Sequence, residues 1–212
     1  MNRRLLAYFL LDTSGSMRGE PIQALNNGFN GLINMLRADP QAMDSLHISV
    51  VTFDRDVKNI IPLTDLACFQ PVEILCPDSG PTHTGAALEM VAKLVTKELI
   101  KGSSERKGDW KPLLFLFTDG KPSDLLKFRE YVEKIKKIDF GVIVGCAAGP
   151  KAEISFLKEL TDNVVQLDAT DANTLSTFFK WVSSSIEMGS KSQGTGESIT
   201  LPPPPSELNI IV

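Results

Sequence analysis

The chain has 212 residues, 42% of them apolar and 23% charged, which is the make-up of an ordinary soluble globular protein of one larger domain, or of one domain and a tail. A formal net charge of −4 argues against a nucleic-acid binder, which needs a basic face, and the cluster Lys134, Lys136 and Lys137 reads as a solvated helix face. Three cysteines (Cys68, Cys76, Cys146) without framework spacing point to free thiols in a reducing compartment. Two histidines and no CxxC pair argue against zinc.

The first predicted element is the apolar run Leu5–Leu11, a strand buried on both faces. It is too short for a membrane span, ends in an acid, and is followed by no small-residue cleavage site. No membrane segment is expected, and the expected location is cytoplasmic. Residues 21–38 place Ile22, Leu25, Phe29, Leu32, Ile33 and Leu36 on one helical stripe, with Pro21 in its first turn. "LHISVVTF" (46–53) and "VKNIIPL" (57–63) read as strands joined by a short polar turn, and Pro62 puts the second at an edge. An irregular segment (64–81) precedes a helix carrying Leu88, Val91, Ala92, Val95 and Leu99. "PLLFLF" (112–117) is a second wholly apolar strand. Leu125, Phe128, Val132 and Ile135 mark a helix, "FGVIVGCA" (140–147) a strand, "EISFLKEL" (153–160) a short helix and "VVQL" (164–167) a short strand. Leu175, Phe178, Phe179, Val182 and Ile186 form the closing helix.

This alternation predicts an α/β fold: a doubly wound, mostly parallel sheet with helices on both faces and one antiparallel edge strand, after the tight link at Phe53. Composition changes at Gly189. "GSKSQGTGES" reads as a flexible linker and "LPPPPSELNIIV" as an extended proline segment whose apolar end packs on a neighbour or back on the domain. The expected division is a domain over 1–188 and a tail over 189–212.

In such sheets ligands gather beyond the carboxyl ends of the strands, where strand order reverses. The two most apolar strands both end in acids there, Asp12 in "LLDTSGS" and Asp119 in "LFTDGKPS". A third loop, "SGPTHTGAAL" (79–88), brings Thr82 to the same rim. Ser14, Ser16 and Thr82 offer neutral hydroxyl oxygens, and Asp12 and Asp119 two negative charges. Hard oxygens with few carboxylates suit Mg²⁺ or Mn²⁺, whereas calcium asks for more ligands. Two carboxylates balance a divalent cation without surplus charge, and an open position would take a third carboxylate from a partner. Gly15 is expected to permit the tight turn between the serines. Simpler readings accompany these: His83 points away from the ion, Asp54 and Asp56 are turn acids, and the alternative to Thr82 as a ligand is a helix N-cap at Thr82 or Thr84.

Asp12, Ser14 and Ser16 in DxSxS spacing, the threonine of "PTHTG" and the aspartate of "FTDG" resemble the von Willebrand factor A domain and match its metal-ion-dependent adhesion site. The resemblance covers roughly residues 4–188. It implies a Rossmann-like fold, with Ser14, Ser16 and Thr82 on the metal directly and Asp12 and Asp119 partly through water. Pro81 departs from the pattern, where the family commonly has glycine, and restricts the backbone before Thr82. "MNRRL", "DTSGSMRGEPI" and the proline-rich ending resemble the bacterial TerY-like proteins of tellurite-resistance clusters. That likeness implies an intracellular interaction module associated with a protein kinase and a PP2C-type phosphatase.

The expected function is a non-enzymatic adaptor that binds a partner's Asp or Glu carboxylate through its metal. A Mg²⁺-dependent phosphatase or phosphotransferase is the first alternative, because "DTSGS" superficially resembles the aspartyl-phosphate loop DxDx(T/V). Here Ser14 stands where that loop has its general acid. The second alternative is a structural subunit whose metal only stabilises the fold. The missing GxGxxG after the first strand speaks against a dinucleotide site.

Overall fold

The computed structural model describes residues 3–77, 80–104, 107–149, 152–191, 201–205 and 208–211. Its strands are β1 (Leu5–Asp12), β2 (Leu46–Phe53), β3 (Val57–Asp65), β4 (Leu113–Thr118), β5 (Val142–Ala148), β6 (Val164–Leu167) and β7 (Asn209–Ile211), in one sheet of order β3-β2-β1-β4-β5-β6-β7. The five strands β1, β2, β4, β5 and β6 run parallel. β3 turns back antiparallel on β2 at one edge, as the short link after Phe53 requires, and β7 is antiparallel to β6 at the other. Every residue of β1 and β4 is buried, which is why both read as unbroken apolar runs.

The helices are α1 (Glu20–Ala38), α2 (Pro40–Ser45), α3 (Thr84–Glu98), α4 (Leu125–Lys136), α5 (Ile154–Leu160) and α6 (Ala172–Lys191). Side-chain alternation along β1 sorts them into two layers. Leu5, Ala7, Phe9 and Leu11 share a core with Leu25, Phe29 and Leu32 of α1 and Leu175, Phe179 and Val182 of α6. Leu6, Tyr8 and Leu10 share the other with Leu88 and Val91 of α3, Phe128 and Val132 of α4 and Leu157 of α5. Phe9 stacks on Phe115 of β4 at 5.0 Å and meets Phe29 edge-on at 5.2 Å, so the centre of the sheet is tied to α1 by aromatic contact. On the opposite face α3 and α4 approach closely at Gly85, where a Cβ would lie 2.3 Å from the backbone nitrogen of Phe128.

Two helices depart from expectation. α2 follows α1 directly, with Pro40 at its first position and Asp39 accepting a hydrogen bond from the Gln41 N–H at 3.0 Å. α6 runs on to Lys191, past the boundary expected at residue 188. Beyond it, the expected linker residues 192–200 lie outside the described residues. The chain end does return to the domain: Leu208 is buried, the Trp181 indole N–H donates to the Pro202 carbonyl at 3.0 Å, and Ile210 stands opposite Val165.

The sheet topology positions the site. Strand order runs one way from β1 to β3 and the other way from β4 to β7, so the reversal lies between β1 and β4. Leu11 pairs with Phe117, so one step on Asp12 comes level with Thr118, and the loops after both strands open onto one crevice.

Candidate metal centre

Asp12 is the last residue of β1 and is fully buried. One carboxylate oxygen accepts the Ser14 N–H at 2.8 Å, and the other accepts the Thr118 hydroxyl at 2.6 Å. Among the described residues no basic side chain pairs with it. Burial raises its pKa to about 6, against the pull of the hydrogen bonds from Thr118 and Ser14, and the negative charge of Asp119 raises it further. A carboxylate held anionic here calls for a nearby cation.

The chain leaves Asp12 through a 3-10 turn at Gly15–Met17 that brings the two serines together, Ser14 Oγ lying 3.3 Å from Ser16 Oγ. Ser16, the exposed one, donates to Asp119 Oδ1 at 2.8 Å across 103 residues of sequence. Gly15 was expected to free this turn, but the positive φ belongs to Gly19, at 83°, just before α1. The turn itself is made with ordinary backbone angles, and the left-handed residue is needed only to re-aim the chain into the helix.

Thr82 is buried on the third loop. Its Oγ1 lies 3.4 Å from where a Cβ would stand on Gly120, which puts it beside Asp119. Ser123 clamps it on both sides: the Ser123 N–H donates to the Thr82 carbonyl at 2.8 Å, and the Thr82 N–H donates to Ser123 Oγ at 3.1 Å. Pro81 does not prevent this placement. The same loop touches the first one, the Gly15 N–H reaching the Gly80 carbonyl at 3.4 Å. Asp12, Ser14, Ser16, Thr82 and Asp119, drawn from three loops, therefore border one cup.

Neighbouring residues hold the cup in place, and most of them carried no signal in the sequence. Thr118, within the quoted "FTDG", fixes Asp12. Asp124 caps α3 from the start of α4, its carboxylate accepting the N–H groups of Gly85 at 3.0 Å and Ala86 at 2.8 Å. The N-cap position of α3 is His83, and Thr84 is the first helical residue, its buried hydroxyl without a hydrogen-bond partner among the described residues. Asp54 is a turn acid as expected, accepting the Asp56 N–H at 2.9 Å, and it also accepts the Thr13 hydroxyl at 2.9 Å, which pins the loop after β1 to the end of β2. The imidazole of His83 meets the Arg55 carbonyl at 2.9 Å, on the turn after β2. The Cys76 thiol donates toward the carbonyls of Thr13 and Ser14 at 3.3 and 3.2 Å.

The donor set fits a hard divalent cation. It offers two carboxylates and three hydroxyls, and no nitrogen or sulfur. Among the described residues no group of three His, Cys, Asp or Glu side chains is placed to hold a metal, so a cation site here must use the serine and threonine oxygens.

The von Willebrand factor type A domain family matches residues 8–181. A protein of Synechocystis sp. (strain ATCC 27184 / PCC 6803 / Kazusa), the uncharacterized protein sll0103, is 30% identical over 115 residues, covering 52% of this chain and 24% of that protein. Proximal thread matrix protein 1 from the mussel byssus, in a structure with a zinc-occupied MIDAS motif, superposes with a TM-score of 0.63 at 20% identity over 86% of this chain and 48% of that one. The manganese-loaded TRAP protein of Plasmodium vivax superposes with a TM-score of 0.53 at 20% identity, over 82% of this chain and 71% of that one. The chain thus spans about a quarter of the Synechocystis protein and about half of the mussel protein. With the family match extending from the middle of β1 into α6, the chain belongs to the von Willebrand factor type A domain family.

Proposed function

We propose that this chain is a metal-dependent protein-interaction module that holds Mg²⁺ or Mn²⁺ on Ser14, Ser16 and Thr82, with Asp12 and Asp119 completing the shell partly through water. The observation that carries the reading is the hydrogen-bonded chain from Asp12 through Ser14 and Ser16 to Asp119, with Thr82 alongside at Gly120. A bound divalent ion would supply a Lewis-acidic position for an Asp or Glu carboxylate from a partner protein. The residues of the chain do the rest. Asp12 and Asp119 neutralise the ion without excess negative charge, Ser123 and Thr118 hold the ligands still, and the neutral hydroxyls leave the site receptive to a further anion. The zinc-occupied and manganese-loaded neighbours support a divalent ion in this fold.

We read the chain as non-enzymatic. Both oxygens of Asp12 are engaged by Thr118 and Ser14 inside the protein, which suits a ligand anchor better than an attacking nucleophile. We place the module in the cytoplasm, consistent with its free cysteines; among the described residues no helix is long and apolar enough to cross a membrane. The likeness of its opening and ending to TerY-like proteins supports a role beside a protein kinase and a PP2C-type phosphatase in a tellurite or stress response. In this arrangement the domain that ends with α6 carries the site, and the residues beyond it form a tail whose end lies against β6.

The test is calorimetric titration of Mn²⁺ and Mg²⁺ into the chain and into Ser14→Ala, followed by capture of kinase and phosphatase candidates with metal or with EDTA. Metal binding lost in Ser14→Ala, and capture lost in EDTA and in Asp12→Ala, is the expected result. Equal capture under all conditions would refute the proposal. Metal binding that raises only the melting temperature would assign the ion a structural role.

A further inference from the structure

Exposed apolar residues scattered singly over a surface mean nothing, but their concentration in one place does. Among the described residues six large apolar side chains are exposed: Val72, Leu75, Ile100, Leu125, Leu126 and Met188. Four of the six lie on the two segments that border the cup. Val72 and Leu75, 45% and 70% exposed, belong to the stretch whose Cys76 bonds to the metal loop. Leu125 and Leu126, the latter 91% exposed, follow Ser123 and Asp124, which clamp Thr82 and cap α3.

Between the first of these segments and the β2–β3 edge lies a cavity of about 570 Å³. Its walls include Ile60, Val72 and Leu75, with Lys58, Asp54 and Glu73 among its charged groups, and Thr13 also lines it. Thr13 stands between Asp12 and Ser14, so the loop that carries these two residues also lines the cavity. In an extended peptide neighbouring Cα atoms are 3.8 Å apart. A residue next to one whose carboxylate reaches the cup is therefore within range of this cavity. The segment that forms the outer wall is held to the domain by its backbone: Asn26 of α1 exchanges two hydrogen bonds with Ile74, at 2.8 and 2.9 Å. Leu75 is thus carried on a fixed backbone with its side chain in solvent, as a docking contact requires.

We infer that this cavity is a specificity subsite, and that the chain recognises an extended partner segment in which an acidic residue is followed or preceded by a large apolar one. The acidic residue meets the cation, and the apolar side chain enters the space between Ile60, Val72 and Leu75. The inference rests on the proposed metal-dependent function and names the partner's chemistry. Charge complementarity favours this occupant. Asp12 and Asp119 would draw a cation at one end, while the cavity lining sets two acids, Asp54 and Glu73, against the one base Lys58 and so disfavours a second acid there.

The experiment displays peptides with a fixed central glutamate and random flanks against the full chain in Mn²⁺, and elutes with EDTA. Metal-released peptides enriched in Leu, Ile, Met or Phe beside the glutamate are expected. Their affinity should fall about tenfold or more in Leu75→Glu and Val72→Asp, with Mn²⁺ affinity unchanged. Both positions are exposed, so the variants keep the fold. Metal-dependent peptides without a flanking preference, or with affinity undiminished in both variants, overturn the subsite and leave the metal reading standing. If no peptide is released by EDTA, the carboxylate-binding function falls and the subsite falls with it. Mn²⁺-dependent self-association abolished by Leu75→Glu would assign this face to a second copy of the chain and overturn the peptide assignment.

Discussion

Replacing Asp12 by asparagine should stabilise the protein without metal and remove most of its response to metal. The carboxylate is fully buried, and its pKa stands at about 6 where an exposed aspartate has 3.8. At roughly 1.4 kcal/mol per pH unit this corresponds to about 3 kcal/mol of strain in the ionised form at neutral pH. The sign follows from proton counts. Between the unfolded value and about 6 the folded state binds more protons than the unfolded state, so stability falls as pH rises through that window. Asparagine carries no charge and keeps the shape. Its carbonyl can still accept the Ser14 N–H, and its amide can donate to Thr118 Oγ1. The Thr118 hydroxyl is then free to turn toward the Gly120 carbonyl, already 3.4 Å away. In EDTA at pH 7, Asp12→Asn should therefore melt about 6–12 °C above wild type, and the gap should close toward pH 4. With Mg²⁺ at a hundred times its dissociation constant the wild type should recover about 2.7 kcal/mol and the variant little of it. Melting curves by circular dichroism from pH 4 to 7, with EDTA and with Mg²⁺, measure all of this. A variant less stable than wild type in EDTA at pH 7, or a gap that does not change with pH, would refute the reasoning.

Gly85→Ala should destabilise the fold by about 1–3 kcal/mol or more, because the new Cβ meets backbone atoms of Lys127 and Phe128 at 2.3–2.8 Å, and α3 cannot move off α4 without disturbing Thr82; an unchanged denaturation midpoint would contradict the close approach. Trp181→Phe should cost about 1 kcal/mol through loss of the bond to Pro202 and speed amide exchange in β6 more than in β1, as native-state exchange by mass spectrometry will show. Equal protection of β6 in both proteins would mean that the tail is not held by this contact. Cysteine reactivity toward a disulfide reagent should run Cys68, then Cys76, with Cys146 silent until unfolding, since Cys68 is exposed while burial removes Cys146 from solvent and pushes its thiol pKa up. Early labelling of Cys146 in the native state would count against the buried position of β5.

Much of this molecule could be read from the sequence because its central strands are buried on both faces. β1 and β4 leave no room for polar residues, so the first polar residue at each carboxyl end, Asp12 or Thr118, marks where the chain reaches the rim. The helical stripes were legible for the same reason: Leu25, Phe29, Leu32 and Leu36 of α1 recur at the spacing that one buried face demands. The features that were missed depend on proximity in space. Asp124 caps a helix that begins 40 positions earlier in the chain, and nothing in "PSDLLKF" says which amides it will meet. β7 spans three residues and is a strand only because β6 offers an open edge. α2 did leave a local signal, since an aspartate followed by proline is a good N-cap and first position. At six residues, though, the helix is too short for periodicity to register.

Main-chain bonds tie the loops of the cup together independently of its hydroxyls, and this separates its position from its chemistry. The Thr13 N–H donates to the Phe53 carbonyl at 2.9 Å, the His83 N–H to Asp54 at 3.0 Å and the Ser123 N–H to Thr82 at 2.8 Å, so loops after β1, β2 and β4 and before α3 are stitched together by main-chain bonds. None of these bonds uses the side chain of Ser14, Ser16 or Thr82. Changing those hydroxyls alters what the cup can hold and leaves where it stands to the main chain, so the three positions are free to be selected for ion binding. Asp12 differs because its carboxylate is itself a tie between β1 and β4 through Thr118. It ties the fold together, and under the proposed function the charge that costs stability without metal is the charge that would draw the cation in.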